Sequence, residues 1–399
     1  MNKKRKATIP TDVKHPVYHW IHANLFSSIG NTALTALSVY LIYALIAKGI
    51  IPLFSWDWTV IRANLKLILT GSYPISELWR VWLCIAYATL FFGFSFGLSR
   101  KHPLPLMYGI AGLLLLLSLF DFARINRLAL RGIPILLFSA FFLIQRMKKS
   151  SRLLIIILGW TLLLPFCFSV IRGFGGPLAI VKTNLWGGLL LSLLISLTSI
   201  YLSFPIGLFL ALGRRSKLKI VRSVCIFTIE VIRGVPLITI LFIGYLILPM
   251  ALPKGWAPSV FIRALAGVVM FHSAYMAEAI RGGLQGISKT QYEAAKSLNL
   301  STPKTMVFII LPQVLKRMIP VLVNMFTSAL KDTSLISIIG MLDLIGISTS
   351  IVSNPKYLTG SAQVLFFEGA LYFILCYSIS KASVLLEKKL GVTAQLKNH

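Results

Sequence analysis

Long apolar runs separated by short basic links dominate the chain. Runs approaching the ~20 residues that a bilayer core requires lie at Thr32–Ile51, Trp79–Leu98, Leu104–Phe120 and Leu153–Ile171, with a shorter one at Ile133–Ile144. Lipid-exposed backbone has to hydrogen-bond within its own segment, so each run is predicted to be a helix. The more polar stretch Asp57–Glu77, which contains the Tyr73-Pro74 turn, reads as an excursion outside the cytoplasm. Arg172-Gly-Phe-Gly-Gly-Pro177 then marks a loop and a module boundary, giving an N-terminal region of about five spans at 1–172 and a second region at 173–399. In the second region the spans are expected at Trp186–Leu212, Val224–Leu248, Phe261–Ile280, Ile310–Ala329 and Val364–Val384. The expectation is an all-α, polytopic transmembrane helical bundle of about ten spans.

Charge changes this picture only in direction. A formal net charge of +29 would point to nucleic acid in a soluble chain, but 57% hydrophobic and 13% charged residues, with a mean hydropathy of +0.82, describe a membrane protein. The basic residues sit in the links, as in Arg100-Lys101, Arg146 to Arg152, Arg214 to Arg222 and Lys388-Lys389, which is the positive-inside pattern. Both termini are therefore expected in the cytoplasm. One link resists: Asp121–Arg131 carries Arg124, Arg127 and Arg131, so charge places it inside while alternation places it outside. The start, MNKKRK and then a polar stretch, lacks the pattern of a cleavable signal peptide. Cys84, Cys167, Cys225 and Cys376 show no CxxC spacing and read as packing residues. His15, His19 and His22 fall at helical spacing, yet no carboxylate or thiol completes a metal set, and an interfacial helix is the better reading.

The polar interruption Gln291–Gln313, QYEAAKSLNLSTPKTMVFIILPQ, still reads as ordered structure. Tyr292, Ala295 and Leu298 share one helical face, and Glu293, Lys296 and Ser297 lie on the other. Asn299 suits a helix end, because Asn tolerates the left-handed conformation, and Thr302-Pro303 suits the cap and first turn of a second helix. Glu293, Ala294, Ala295, the turn residue Asn299, Ile309, Leu311 and Pro312 together resemble the EAA loop of bacterial ABC importer permeases. That family usually has Gly at the turn.

Charged residues beside apolar runs need an explanation, since an unpaired charge at mid-bilayer costs about 2.5–3.5 kcal/mol on insertion scales. The string E-x-I-R-G occurs twice, so Glu230 with Arg233 and Glu278 with Arg281 are expected as i,i+3 structural pairs. Lys331 and Asp332, followed by the hydroxyls of Thr333 and Ser334, are candidates for the translocation path or for a gate or helix-packing role. His272 stands in an apolar span, where a packed, hydrogen-bonded role fits best.

IEVIRGVPL, SAYMAEAIRGGLQ, the EAA loop with LPQ, and KDTSLISIIG occur in order over Leu185 to Leu390 and resemble the polar amino-acid permeases of the ABC importer family. RANLKLILTG, YPISELWRVW and LWGGLLLSL are similar to its general L-amino-acid branch, which has an extended N-terminal half. The resemblance implies an inner-membrane subunit with a type I ABC importer permease core of five spans and an accessory region before it. It implies a coupling loop at 287–312, with Tyr292, Glu293, Ala294, Ala295, Leu298 and Asn299 docking an ATPase. It further implies a second homologous permease, two ATPase subunits that hold ATP and magnesium, and an extracytoplasmic amino-acid-binding protein. No G-x-x-x-x-G-K-[ST] loop and no Gly-Lys dipeptide occurs, so the chain is expected to be no enzyme and to carry no cofactor or metal of its own. Asp332 keeps an ion-coupled secondary amino-acid transporter as the alternative. A membrane-embedded enzyme lacks a His and carboxylate at catalytic spacing, and a channel lacks pore-lining polar periodicity.

Overall fold

The computed structural model describes residues 16–99, 105–119, 127–253 and 255–390. The Lys3–Lys6 cluster, His15, Arg100-Lys101 and the Asp121–Arg124 part of the ambiguous link lie outside the described residues. The chain forms two compact units, 1–59 and 60–399. In the first, α1 (Pro16–Leu25) precedes α2 (Ile29–Leu45), a π turn and α3 (Ile51–Ser55). Ser28 starts α2 by accepting from the Asn31 N–H at 3.1 Å. Ile29–Gly49 is long and apolar enough to cross a membrane, and none of that span is buried within the chain. Among the described residues no group of three or more His, Cys, Asp or Glu is placed to hold a metal.

The second unit holds α4 (Thr59–Thr70), α5 (Leu78–Ser99), α6 (Pro105–Leu117), α7 (Arg127–Arg146) and α8 (Lys149–Arg172). There follow α9 (Gly188–Gly213), α10 (Lys219–Gly234), α11 (Leu237–Phe242), α12 (Leu248–Ala251) and α13 (Val260–Gln285). The last are α14 (Lys289–Ser297), α15 (Thr302–Thr305), α16 (Leu311–Asp332), α17 (Leu344–Val352) and α18 (Ser361–Leu390). Only isolated bridges, and no strand, occur among the described residues. Among the described residues eight helices are long and apolar enough to span, and the pair α10 with α11–α12, bent by 106°, makes nine.

Two expectations are corrected here. Ile133–Ile144 is not short: it belongs to α7, whose 20 residues begin at Arg127. The short element is α6, with 13 residues. It still belongs in the count, because α5 and α7 run parallel: Gly93 abuts Leu137 and Ala140, and one turn on Gly97 abuts Phe141 and Ile144. The chain must cross back between them, and α6 lies there, with Tyr108 on Phe138 (5.2 Å) and Ser118 on Arg131 (3.3 Å). The Arg127 end of α7 thus lies toward the Leu78 end of α5, as alternation required. The second correction concerns Val224–Leu248, which is not one straight span. Pro236 has no N–H to donate and holds Val235 extended (φ −114°, ψ 135°), which breaks the helix.

α9 and α13 pack closely at the centre. A Cβ at Gly207 would meet Met276 Cβ at 2.6 Å, and Ser192, Ser196, Ser199, Ser203 and Ser273 are fully buried. Small residues allow such approach where lipid provides no hydrophobic drive between helices. One apolar cluster, with Trp186, Leu191, Leu241, Phe261 and Ile336, fills the bundle near the start of α9; another, with Ala211, Ile229, Met276, Ile280, Val314 and Met318, fills the opposite end. Cys167, Val170 and Ile171 of α8 belong to the first cluster, so apolar packing continues across residue 172.

Candidate functional site

The polar interruption folds as a helix, a tight turn and a helix. Ser288 caps α14 by accepting from Thr290 N–H. At the far end the Asn299 N–H donates to Lys296 O (2.9 Å) and the Leu300 N–H to Ala295 O (3.1 Å), the two bonds of a Schellman motif. Asn299 takes φ +53°, a left-handed value that no other described non-glycine residue adopts. The second helix has Ser301, not Thr302, at its N-cap position, without a side-chain cap bond, and Pro303 lies in its first turn. A π turn at Met306–Ile310 precedes α16, where Pro312 cannot donate to the preceding turn. Arg317 Nη1 donates to Gly286 O (2.7 Å) and Gln313 Nε2 to Gln291 Oε1 (3.4 Å), which tie the loop to α16.

The exposed face differs from the expected one. Ala295 is 1% exposed, and Tyr292 is half-buried and packed against the cluster around Met276 and Val314, so this side of α14 faces its own chain. Glu293, Ala294, Leu298 (72% exposed) and Asn299 face outward. Helical spacing had grouped Tyr292, Ala295 and Leu298, but the turn after Ser297 carries Leu298 off that face.

Of the two expected ion pairs, only Glu278 with Arg281 forms, with Arg281 Nε 2.9 Å from Glu278 Oε2. Glu230 instead bonds Arg214 Nη1 at 3.0 Å, and Arg233 reaches Glu278 at 3.6 Å. Arg214 also lies 3.6 Å from Glu278, so the charges join α9, α10 and α13 above the loop. Sequence spacing sees pairs within one helix; a partner on another helix carries no such signal.

At the other end of α16, Asp332 and His272 meet. His272, on α13 and 3% exposed, places Nε2 3.4 Å from Asp332 Oδ2, and its Nδ1 lies 2.9 Å from Val268 O. Thr333 is buried and bonds Leu330 O, Ser334 is half-buried, and Lys331 is exposed. Beyond the turn at Gly340, Asp343 caps α17: its Oδ1 accepts from Gly346 N–H at 2.9 Å while Oδ2 is buried without a hydrogen bond. Burial pushes this carboxyl up to about 6, with backbone hydrogen bonds from Gly346 and Ile345 opposing the rise and the nearby Glu368 adding to it. Sequence reasoning missed Asp343 and the buried Glu368, whose neighbours come from distant segments.

A multi-pass helical bundle with a buried polar seam and an ordered polar loop at one end defines a membrane transport protein. The chain belongs to the amino-acid ABC transporter permeases, within the family described as binding-protein-dependent transport system inner membrane component, whose pattern matches residues 203–390. It is 37% identical to the inner membrane amino-acid ABC transporter permease protein YhdY of Escherichia coli K12, over 93% of this chain and 92% of that protein. It is 34% identical to the glutamate/glutamine/aspartate/asparagine transport system permease protein BztC of Rhodobacter capsulatus, over 93% of each. A probable glutamine ABC transporter permease protein of Bacillus subtilis, GlnP, is 36% identical over 51% of this chain and 92% of its own. A solved structure described as an amino acid ABC transporter with histidines aligns with 50% of this chain at 32% identity, covering 90% of that chain, with a TM-score of 0.45. The chain is thus a multi-pass inner-membrane permease, and the ion-coupled alternative finds no support among these relatives.

Proposed function

We propose that this chain forms the translocation pathway of an ATP-driven importer for polar amino acids and couples to a separate ATPase through the loop at 287–312. The observation that carries the coupling is the exposed face of Glu293, Ala294, Leu298 and Asn299, presented by a helix whose far side is anchored in the bundle. A solvent-exposed Leu beside a turn closed by backbone hydrogen bonds is a rigid apolar knob, which suits a partner's cleft. In this reading the second permease is a homologue rather than a copy, two ATPase subunits hold ATP and magnesium, and an extracytoplasmic protein delivers the amino acid. The substrates in the names of the relatives, glutamate, glutamine, aspartate and asparagine, are the favoured cargo. Residues 173–399 are the transport core, and 1–172 are accessory to it.

The test is co-purification and amino-acid-stimulated ATPase activity in liposomes, comparing the intact chain with Leu298→Asp and Glu293→Lys. An intact complex that carries an ATPase, lost in these variants while the permease stays folded, supports the reading. Uptake that runs on an ion gradient with no ATPase present would sink it.

A further inference from the structure

A groove of about 630 Å³ lies between α4, α5, α8 and α9, outside the polar seam and the coupling loop. Its walls are the apolar faces of three spans, and they share one direction. At one end stand Ile75 and Leu78 before and on α5, Ile171 on α8 and Leu189 on α9; at the other stand Ala88, Leu163 and Leu197. From Leu78 to Ala88 is roughly 15 Å at the helical rise, which is half of the ~30 Å hydrocarbon core, or one leaflet. The groove's length therefore matches the depth of one leaflet.

Two cations on α4 line the groove. Arg62 and Lys66 are one turn apart. Arg62 is exposed, and Lys66 is half-buried with its Nζ donating to Gly71 O at 2.9 Å. The nearest acidic residue along the chain after them, Glu77, is engaged by Arg80 at 2.7 Å. Burial lowers the Lys66 amine from its usual range, as expected for a charge that loses water without gaining a carboxylate. A desolvated cation above an apolar slot of leaflet depth calls for an amphiphile with an anionic head.

We propose that this groove is a binding site for an anionic glycerophospholipid, with one acyl chain along α5, α8 and α9 and the phosphate between Arg62 and Lys66. Its occupancy would bridge α4 and α5, which precede the region matched by the family pattern, to α9, which enters that region at residue 203.

The probe is native mass spectrometry of the full chain from nanodiscs of phosphatidylglycerol or phosphatidylcholine, with melting temperature read in parallel. The expected result is one retained phosphatidylglycerol per chain, at least tenfold over phosphatidylcholine, and a higher melting temperature in the anionic lipid. Arg62→Glu alone is expected to abolish the headgroup preference without unfolding the protein, because its side chain is exposed. Leu193→Trp, which fills the slot, is expected to remove both lipids. Equal retention of the two lipids by the unaltered chain overturns the proposal, as does a preference that survives Arg62→Glu. Retention of neither lipid also overturns it and means that another helix covers the groove.

Discussion

His272 and Asp332 come from different helices and face each other at 3.4 Å, Nε2 to Oδ2. The Val268 carbonyl, 2.9 Å from Nδ1, can only accept, so that nitrogen carries a proton. Nε2 then donates to Asp332 only in the imidazolium form; in the neutral ring two lone pairs confront each other, and a donor between them is favoured. The ammonium of an amino acid is such a donor. Asp332→Asn is expected to lower uptake in liposomes at least tenfold, about 1.4 kcal/mol, with basal ATPase activity and complex assembly kept. Uptake unchanged in Asp332→Asn would reduce the pair to helix packing.

Asn299 at φ +53° makes the coupling turn sensitive to side-chain shape. Glycine meets no Cβ penalty there, so Asn299→Gly is expected to leave assembly with the ATPase intact. A β-branched residue pays about 1–2 kcal/mol in the left-handed region, so Asn299→Val is expected to fray α14 and weaken co-purification. Limited proteolysis within 289–300 reads the fraying directly, and equal cleavage of the two variants would show that the turn is held from elsewhere.

The Asp343 carboxyl gives stability a pH dependence of definite sign. Its value in the fold is about 6 against the usual 3.8, so the folded state holds the proton more tightly. The stability it contributes is present below pH ~4, falls as pH rises to ~6, and is then lost, about 3 kcal/mol in all at 1.36 kcal/mol per unit. Asn keeps an acceptor for the Gly346 N–H and does not ionise. Asp343→Asn is therefore expected to raise the melting temperature at pH 7.5 and to leave it unchanged near pH 4. A gain of equal size at both pH values would trace to packing instead of charge.

Much of this was legible in the chain itself. Apolar run length found the spans, and the order of QYEAAKSLN and LPQ found the helix–turn–helix with its left-handed residue. What stayed hidden depends on neighbours remote in sequence. Glu230 takes Arg214 as its partner and not Arg233 three residues on. Ala295 looks available at helical spacing, yet it is buried. The break at Pro236 was visible in principle, but a hydropathy window averages across one proline, and α17 was missed because nine residues are too few for a span.

Gly188 makes a strict structural demand. It sits at φ +57° where α9 begins, its N–H donates to Leu342 O at 2.9 Å, and an added Cβ would lie 2.1 Å from the carbonyl oxygen of Ile68. That oxygen belongs to backbone and cannot swing aside. Gly188→Ala therefore combines left-handed strain of about 1–2 kcal/mol with a clash that must part α4 from α9. Gly282, on α13, is the control: a Cβ there meets nothing within 4 Å, and an interior helical glycine changed to alanine gains roughly 0.5–1 kcal/mol. Thermal unfolding in detergent is expected to show a large drop for Gly188→Ala and none, or a small rise, for Gly282→Ala. A Gly188→Ala protein that melts with the unaltered chain would mean that α4 does not press on the start of α9.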